Sequence, residues 1–352
     1  MKIEHLLSKP GQWLYGEGPE NDIVISSRIR LARNITGFPF LVRSNMQDRA
    51  QVKETLRKVM PALFPDKDAD FADLQKAPPI DRLFLLERQL ISREIADADG
   101  PRAVIVDRKE RFSIMINEED HLRIQSVTSG LDLQKVWTLI NELDDRLESQ
   151  VSFAFHEKWG YLTACPTNVG TGMRVSVMLH LPALVVSKEI EKVFRSLQKV
   201  NLAVRGMFGE GTQAFGDFFQ ISNQTTLGRT EEEIIQKVSD IIPQIISYER
   251  QARDFLRQEK LDMILDRSSR AVGVLSTART ISSEEAMDHL SNIRLGVNMG
   301  LLDAPNIQTV NDLLLHIQPA HLQKLVGTPL NANDRDLARA QYLRKRLTDR
   351  QV

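Results

Sequence analysis

Residues 26–33 read SSRIRLAR, and in an extended strand side chains two apart share a face, so Arg28 and Arg30 project together. Two neighbouring guanidinium groups repel each other unless an anion lies between them. Alone, the segment fits a solvated edge strand as well as an anion-binding one. Residues 117–123, NEEDHLR, set three consecutive acids before His121 and Arg123, a pattern that is also that of a charged turn. Asp120 and His121 lack a partner at metal-ligand spacing, so a metal site is discounted there. Residues 163–181, TACPTNVGTGMRVSVMLHL, put the single cysteine, Cys165, before a loop with Gly170 and Gly172 and a strand that begins at Arg174. A buried structural thiol is the plain alternative for Cys165. The loop lacks the Gly-Lys-Ser/Thr ending of a P-loop, and no G-x-G-x-x-G follows a strand. Residues 204–216, VRGMFGEGTQAFG, surround Arg205 and Glu210 with glycines, a composition suited to a lid over a substrate.

Taken as a set, Arg28, Arg30, Arg123, Arg174 and Arg205 lie on strand ends or glycine-rich turns. An arginine cage is what a triphosphate needs where no P-loop exists, because guanidinium groups bind phosphate oxygens bidentately and offset charge during transfer. Glu119 and Glu210, on separate loops, would then hold a cationic nucleophile. Composition agrees. The 46 basic residues divide into 16 Lys and 30 Arg, an excess of the planar, permanently charged fork. A net charge of −1 argues against a direct nucleic-acid or polybasic membrane binder. One cysteine excludes an intrachain disulfide framework or a Cys-rich zinc site. No apolar run approaches the ~20 residues of a membrane span and the start lacks a signal-peptide stretch, which predicts a soluble, cytoplasmic protein.

These residues must be positioned by a strand-rich frame. Periodicity predicts strands over residues 22–31, 103–107, 112–116, 122–127, 151–155, 159–164 and 174–181. Helices are predicted over 46–60, 131–147, 188–199 and 230–251, the last containing Pro243, with a Pro/Asp-rich connection over 64–70. After about residue 255 strand signals vanish and helical periods continue to the end. The expected organisation is an α+β domain over 1–255 followed by an all-helical domain over 256–352.

The segment CPTNVGTGMRVSV resembles the signature of the phosphagen (guanidino) kinases, and SSRIR, NEEDHLR and RGMFGE match three further motifs of that family in the right order. The resemblance covers roughly residues 20–255. It implies an antiparallel sheet flanked by helices, and ATP with Mg2+ held through the nucleotide. It implies that Arg28, Arg30, Arg123, Arg174 and Arg205 bind phosphates. The surrounding Ser26, Ser27, Ile29, Val175, Ser176, Val177, Met178, Gly206, Met207, Phe208 and Gly209 would wall the ATP site, partly through backbone. Glu119 and Glu210 match the carboxylates that clamp the guanidinium, and Cys165 the thiol that contacts it. Gln89 stands in LLERQLIS where the resemblance leads one to expect His, on the adenine side.

Two departures narrow the implication. The family's helical domain ahead of SSRIR is replaced by a short lead, and a helical module follows residue 255. Both point to the bacterial protein-arginine kinases within the family, whose acceptor is an arginine side chain on a protein. By the same resemblance the expected partners are the activator McsA, the Clp unfoldase ClpC and the heat-shock repressor CtsR, and the expected assembly is a homodimer. Residues 335–340, RDLARA, place Arg335 and Arg339 on one helical face with Asp336 one position round. On spacing this is equally a solvated helix start; by resemblance it is a non-catalytic phosphoarginine pocket coupled to turnover. Two other readings stay open: a degenerate kinase domain that only binds phosphoarginine, and a kinase of free arginine.

Overall fold

Apolar runs too short for helices, such as AVIVD and FSIMI, bury both faces and so enter a sheet covered on each side. The computed structural model describes residues 4–7, 10–207 and 215–348. Its strands are β1 (Val24–Arg33), β2 (Ala69–Asp73), β3 (Ala103–Asp107), β4 (Phe112–Ile116), β5 (Leu122–Ser129), β6 (Phe155–His156), β7 (Gly160–Tyr161), β8 (Met173–His180), β9 (Leu202–Gly206) and β10 (Phe218–Asn223). The helices are α1 (Met46–Leu63), α2 (Pro79–Glu87), α3 (Arg93–Asp97), α4 (Leu133–Glu148), α5 (Pro182–Val186), α6 (Ile190–Lys199), α7 (Glu231–Glu259), α8 (Leu261–Thr277), α9 (Ser283–Asn298), α10 (Ile307–His316), α11 (Pro319–Val326) and α12 (Ala332–Thr348).

Eight strands form one sheet in the order β2-β3-β4-β5-β1-β8-β10-β9, and β6 pairs with β7. From β2 through β3, β4 and β5 to β1 every pairing is antiparallel. The strand over 69–73 was not legible from composition: β2 is rich in Asp and Ala, and it forms because β3 supplies a full ladder of partners. Conversely, the strands expected over 151–155 and 159–164 reduce to the two-residue β6 and β7. Phe155 and Trp159 stay exposed there, and beyond the hairpin the isolated bridges of Ile35 with Phe153 and Tyr161 with Gly170 form.

The chain divides into two compact units. The first comprises residues 26–177 and 222–240 of the described chain. Its helices begin on side-chain caps: Asn45 and Asp48 form a reciprocal capping box at α1, Ser92 caps α3 and Asp132 caps α4. Inside it Arg33, 2 % exposed, donates to Asp144 at 2.7 Å, to the carbonyls of Ala32 and Thr171, and lies over the Tyr161 ring. That arginine ties the start of β8 to the end of β1.

The second unit comprises the described residues within 4–25, 178–221 and 241–348. A proline inside α7, Pro243, does not end the helix, which runs on to Glu259; the break falls at Lys260. Ser282 and Asn306 cap α9 and α10, and Ala183, Leu256, Ile264, Leu295 and Met299 close a core. Buried at 0 % exposure, Arg294 donates to the carbonyls of Asn21 and Asp22, to Asn311 and to His180 Nδ1. A proton accepted at Nδ1 leaves the His180 proton on Nε2, which donates to Ser291 Oγ at 2.9 Å. Burial first, and then Arg294 and Arg253, hold this imidazole well below its ordinary value, so it is neutral. Among the described residues no helix is long and apolar enough to cross a membrane.

Candidate active site

Strand register assembles the arginines. Residues directly opposite in an antiparallel pair put their side chains on the same face. Arg30 lies opposite Gln125 and Ala32 opposite Arg123, so Arg28, Arg30 and Arg123 share one face of the sheet. From β8, Ser176 accepts from Arg28 Nε at 3.4 Å, which puts Ser176 and Arg174, two residues before it, on that face as well. Arg174 is itself aimed by β10, donating to Ser222 Oγ at 3.1 and 3.3 Å. Four guanidinium groups therefore crowd one surface. Burial, then repulsion from Arg174 and Arg123, pushes the Arg28 guanidinium down to about 10. Arg30 is lowered well below its ordinary value by burial and by Arg28, Arg123 and Arg174, with Glu118 opposing. Two guanidinium groups lowered first by burial and then by their cationic neighbours mark this face as a candidate anion site.

The acidic turn faces this surface. Glu118 accepts from Arg123 at 2.5 Å and from the Ser92 hydroxyl at 2.6 Å, and its other oxygen accepts from the Glu119 amide. Glu119 accepts from Arg123 at 3.0 Å and from Asn168 Nδ2 at 3.4 Å, and its side chain remains 42 % exposed. Burial raises the Glu119 carboxyl, Arg123 lowers it, and Asp120, Glu118 and Glu94 raise it further; the net shift is upward. Asp120 is buried, accepting at 2.6 Å from both Asn34 Nδ2 and the Ala164 amide, so it fastens the turn to the segment that carries Cys165. His121 accepts from the Ile35 amide through Nδ1 and donates to the Pro39 carbonyl through Nε2. With both nitrogens used and burial lowering its affinity for a proton, it is a neutral structural residue.

Cys165 is half-buried, with Sγ 3.0 Å from Thr167 Oγ1. The following loop is clamped by Thr226 Oγ1, which donates to the carbonyls of Thr167 and Val169. Glycine is required twice here: at Gly170, φ +110°, a Cβ would sit 2.6 Å from the Thr226 carbonyl, and at Gly172, φ +63°, 2.6 Å from that of Ala32. The Asn168–Glu119 contact brings this loop onto the acidic turn.

The remaining expected residues fall as follows. Ser27 donates to the Gly130 carbonyl and accepts from the Asp132 amide, and Ile29, Val175 and Val177 are fully buried. Strand alternation turns these four side chains away from the arginine face, so only their backbone could line it. Ser26 and Met178 are buried, and Arg205 and Gly206 end β9, with Met207 after them. Phe208, Gly209 and Glu210 lie outside the described residues. Gln89 adopts φ +58°, accepts from Arg28 at 3.2 Å through Oε1, and has a buried Nε2 with no partner among the described residues. Sequence reasoning left Glu118 undistinguished among the acids of NEEDHLR and missed Ser92, Ser222 and Asn223, which carry no local signal; only the register and the folding of residues 89–92 over the sheet bring them in.

In the C-terminal helix, Asp336 pairs with Arg339 at 2.6 Å. Arg339 is 1 % exposed and also donates to the carbonyls of Ile281 and Ile317, whereas half-buried Arg335 donates to that of Leu330.

Residues 51–252 match the ATP:guanido phosphotransferase C-terminal catalytic domain. The chain belongs to the ATP:guanido phosphotransferase family. Residues 261–352 match the protein-arginine kinase McsB C-terminal domain, which places this phosphotransferase in the family's protein-arginine kinase branch. It is 45% identical over 350 residues, 99% of each chain, to the protein-arginine kinase of Halothermothrix orenii. To that of Symbiobacterium thermophilum it is 47% identical over 341 residues, 96% of each chain. Among solved structures, lombricine kinase aligns with a TM-score of 0.59 at 27% identity, covering 67% of this chain and 68% of that one. The duplicated taurocyamine kinase of Schistosoma mansoni aligns with a TM-score of 0.61 at 26% identity, over 70% of this chain and 35% of that one.

Proposed function

We propose that this phosphotransferase moves the γ-phosphoryl group of ATP to arginine side chains of proteins. The observation that carries the reading is the sheet face that brings Arg28, Arg30, Arg123 and Arg174 together, a cluster of guanidinium groups suited to a polyanion, set beside an acidic turn. Those four, with Arg205, bind the phosphates; Glu119 and Glu210 grip the acceptor guanidinium, and Cys165 aligns it. A guanidinium is a poor nucleophile because its lone pairs are delocalised. One terminal nitrogen must therefore be fixed in line with the γ-phosphorus. As the nitrogen–phosphorus bond forms, the phosphorus–oxygen bond to ADP breaks and the nitrogen's proton passes to a carboxylate. Glu119 is suited to receive it, since its surroundings raise its proton affinity. The arginines stabilise the charge on the transferring group. By the family resemblance Mg2+ would be held through the nucleotide and would neutralise phosphate charge there.

The functional division we propose is 1–255 for catalysis and 256–352 for phosphoarginine binding through Arg335, Asp336 and Arg339. A carboxylate suits the guanidino half of phosphoarginine and an arginine its phosphoryl half. Binding there would couple product to turnover, as allostery requires. In the cell the reading implies a cytoplasmic homodimer that marks proteins for Clp-dependent degradation under stress, with McsA, ClpC and CtsR as partners.

The test is acceptor choice. With labelled ATP, an unfolded Arg-rich protein is expected to take the label and free arginine is not. Label on free arginine alone identifies a guanidino-metabolite kinase. Phosphoarginine binding without any transfer identifies an adaptor.

A further inference from the structure

Helix α2 ends in a turn that ordinarily takes glycine. The Leu90 amide donates to the Leu85 carbonyl at 3.0 Å and the Gln89 amide to that of Leu86 at 2.8 Å, the paired bonds of a Schellman cap. The first residue past such a cap is left-handed, a place that glycine fills without strain. Here Gln89 fills it, at φ +58°. The same residue carries a second burden, because its Nε2 is buried with no partner among the described residues. A strained backbone and an unpaired amide both oppose stability, so the side chain calls for a reason other than folding.

That reason lies at the other end of the amide. Gln89 Oε1 accepts from Arg28 at 3.2 Å, and Ser176 Oγ accepts from Arg28 Nε at 3.4 Å. A guanidinium only donates, so the amide must turn its oxygen to Arg28 and leave its nitrogen over. The place of Gln89 is fixed from below: Gln125, opposite Arg30 on β5, donates through Nε2 to the Gln89 carbonyl at 2.6 Å. Next to it, Arg88 donates to both oxygens of Glu110, at 2.5 and 2.7 Å. All of these residues belong to the first compact unit. Two buried arginines of that unit, Arg33 and Arg88, are paired with carboxylates, Asp144 and Glu110, which cancel their charge. Gln89 and Ser176 offer Arg28 neutral oxygens instead. A neutral acceptor orients a guanidinium and leaves its charge for an incoming anion.

We propose that Gln89 is a positioning residue, whose amide oxygen aims Arg28 at the nucleotide phosphates without neutralising it. The proposal rests on the reading of Arg28 as a phosphate-binding residue. The family resemblance sets position 89 on the adenine side of the nucleotide; in this chain its side chain serves the phosphates.

The experiment measures Tm and, by calorimetry on the full chain, the dissociation constants of ATP and of tripolyphosphate, which has the phosphates but neither base nor sugar. Gln89→Gly relieves the backbone and removes the unpaired amide, so Tm is expected at or above the wild-type value. Both ligands are expected to bind roughly three- to tenfold more weakly, the effect of one lost hydrogen bond. Gln89→Glu keeps an acceptor on Arg28 but pairs its charge, and is expected to weaken both ligands at least as much, with Tm unchanged or raised. In an Arg28→Met background Gln89→Gly is expected to add no further loss, because the side chain acts through that arginine. Unchanged affinity in Gln89→Gly, wild-type affinity in Gln89→Glu, a further loss in the Arg28→Met background, or a Tm below the wild type in both variants overturns the proposal. A loss confined to ATP also overturns it and puts the side chain on the base. If Gln89→Gly alone does not fold, Gln89→Glu decides by the same comparisons. Should Arg28→Met bind both ligands as the wild type does, the phosphate reading of the arginine face falls and this inference with it; a weakened Arg28→Met beside unaffected Gln89 variants sinks this inference alone.

Discussion

Replacing Glu119 by glutamine is expected to lower phosphoarginine formation by about a thousandfold, within the range of a lost general base together with a lost charge contact. Glutamine keeps the shape of the side chain and can still accept from Asn168, but it neither takes a proton nor attracts a guanidinium. The substitution also removes one of two carboxylates from Arg123. The other, Glu118, stays at 2.5 Å, is itself held by Ser92, and keeps Arg123 on the face proposed to bind the phosphates. ATP affinity is therefore expected to change by less than about threefold, a fraction of a kcal/mol. Calorimetry with ATP beside a labelled-transfer assay checks both halves. A variant that loses nucleotide binding as completely as it loses transfer would show that the acids and the arginines do not divide the work as described. The same measurement on Glu210→Ala asks whether the second carboxylate acts jointly with the first.

The second large effect is expected in the C-terminal helix. The double variant Arg335→Ala, Asp336→Ala is expected to weaken phosphoarginine binding by about a hundredfold, the loss of two charge-assisted contacts at roughly 1.5 kcal/mol each. The three residues of the proposed pocket are not equivalent. Arg339 is buried and binds two backbone carbonyls and Asp336, so Arg339→Ala leaves buried acceptors empty and is expected to cost about 3 kcal/mol of stability, visible as a lower Tm. Asp336→Ala removes one of three acceptors from that guanidinium, so the Tm of the double variant must be followed alongside affinity. Arg335→Ala leaves the Asp336–Arg339 pair intact and separates ligand binding from folding. Unchanged affinity in a folded double variant places the pocket elsewhere.

How much of this was legible in the sequence depended on the range of the interaction. Strand periodicity alone put Arg28 and Arg30 on one face, because a two-residue repeat is local. That Arg123 joins them follows from its pairing with Ala32, and register between distant strands is written in no single segment. The motifs supplied the membership of the cluster; the ladder supplied its geometry. NEEDHLR offered three acids without distinguishing them. The fold gives Glu118 to Arg123 and Ser92, Glu119 to the open side, and Asp120 to Asn34 and the Cys165 segment, a division made by partners up to 86 residues away. Gln89 was legible as a departure from the family pattern. Its left-handed backbone and its bond to Arg28 were not, since both come from residues 89–92 folding across the sheet. The helix expected over 188–199 begins at Ile190, because Lys188 adopts φ +63°. For the weak strand β10, burial and neighbours decide, and its own sequence, FFQISN, carries little alternation.

The measurement that bears most directly on the central claim is the identity of the bond the enzyme makes. Phosphorus NMR of an Arg-rich, unfolded protein after incubation with ATP and the full chain distinguishes a phosphoramidate on guanidino nitrogen from a phosphate ester on a hydroxyl. An arginine face beside the acidic turn, read as proposed, predicts a nitrogen–phosphorus resonance that disappears on brief acid treatment and is missing from an acceptor whose arginines are replaced by lysine. An acid-stable ester on serine, threonine or tyrosine, or a signal that survives the arginine replacement, would contradict it.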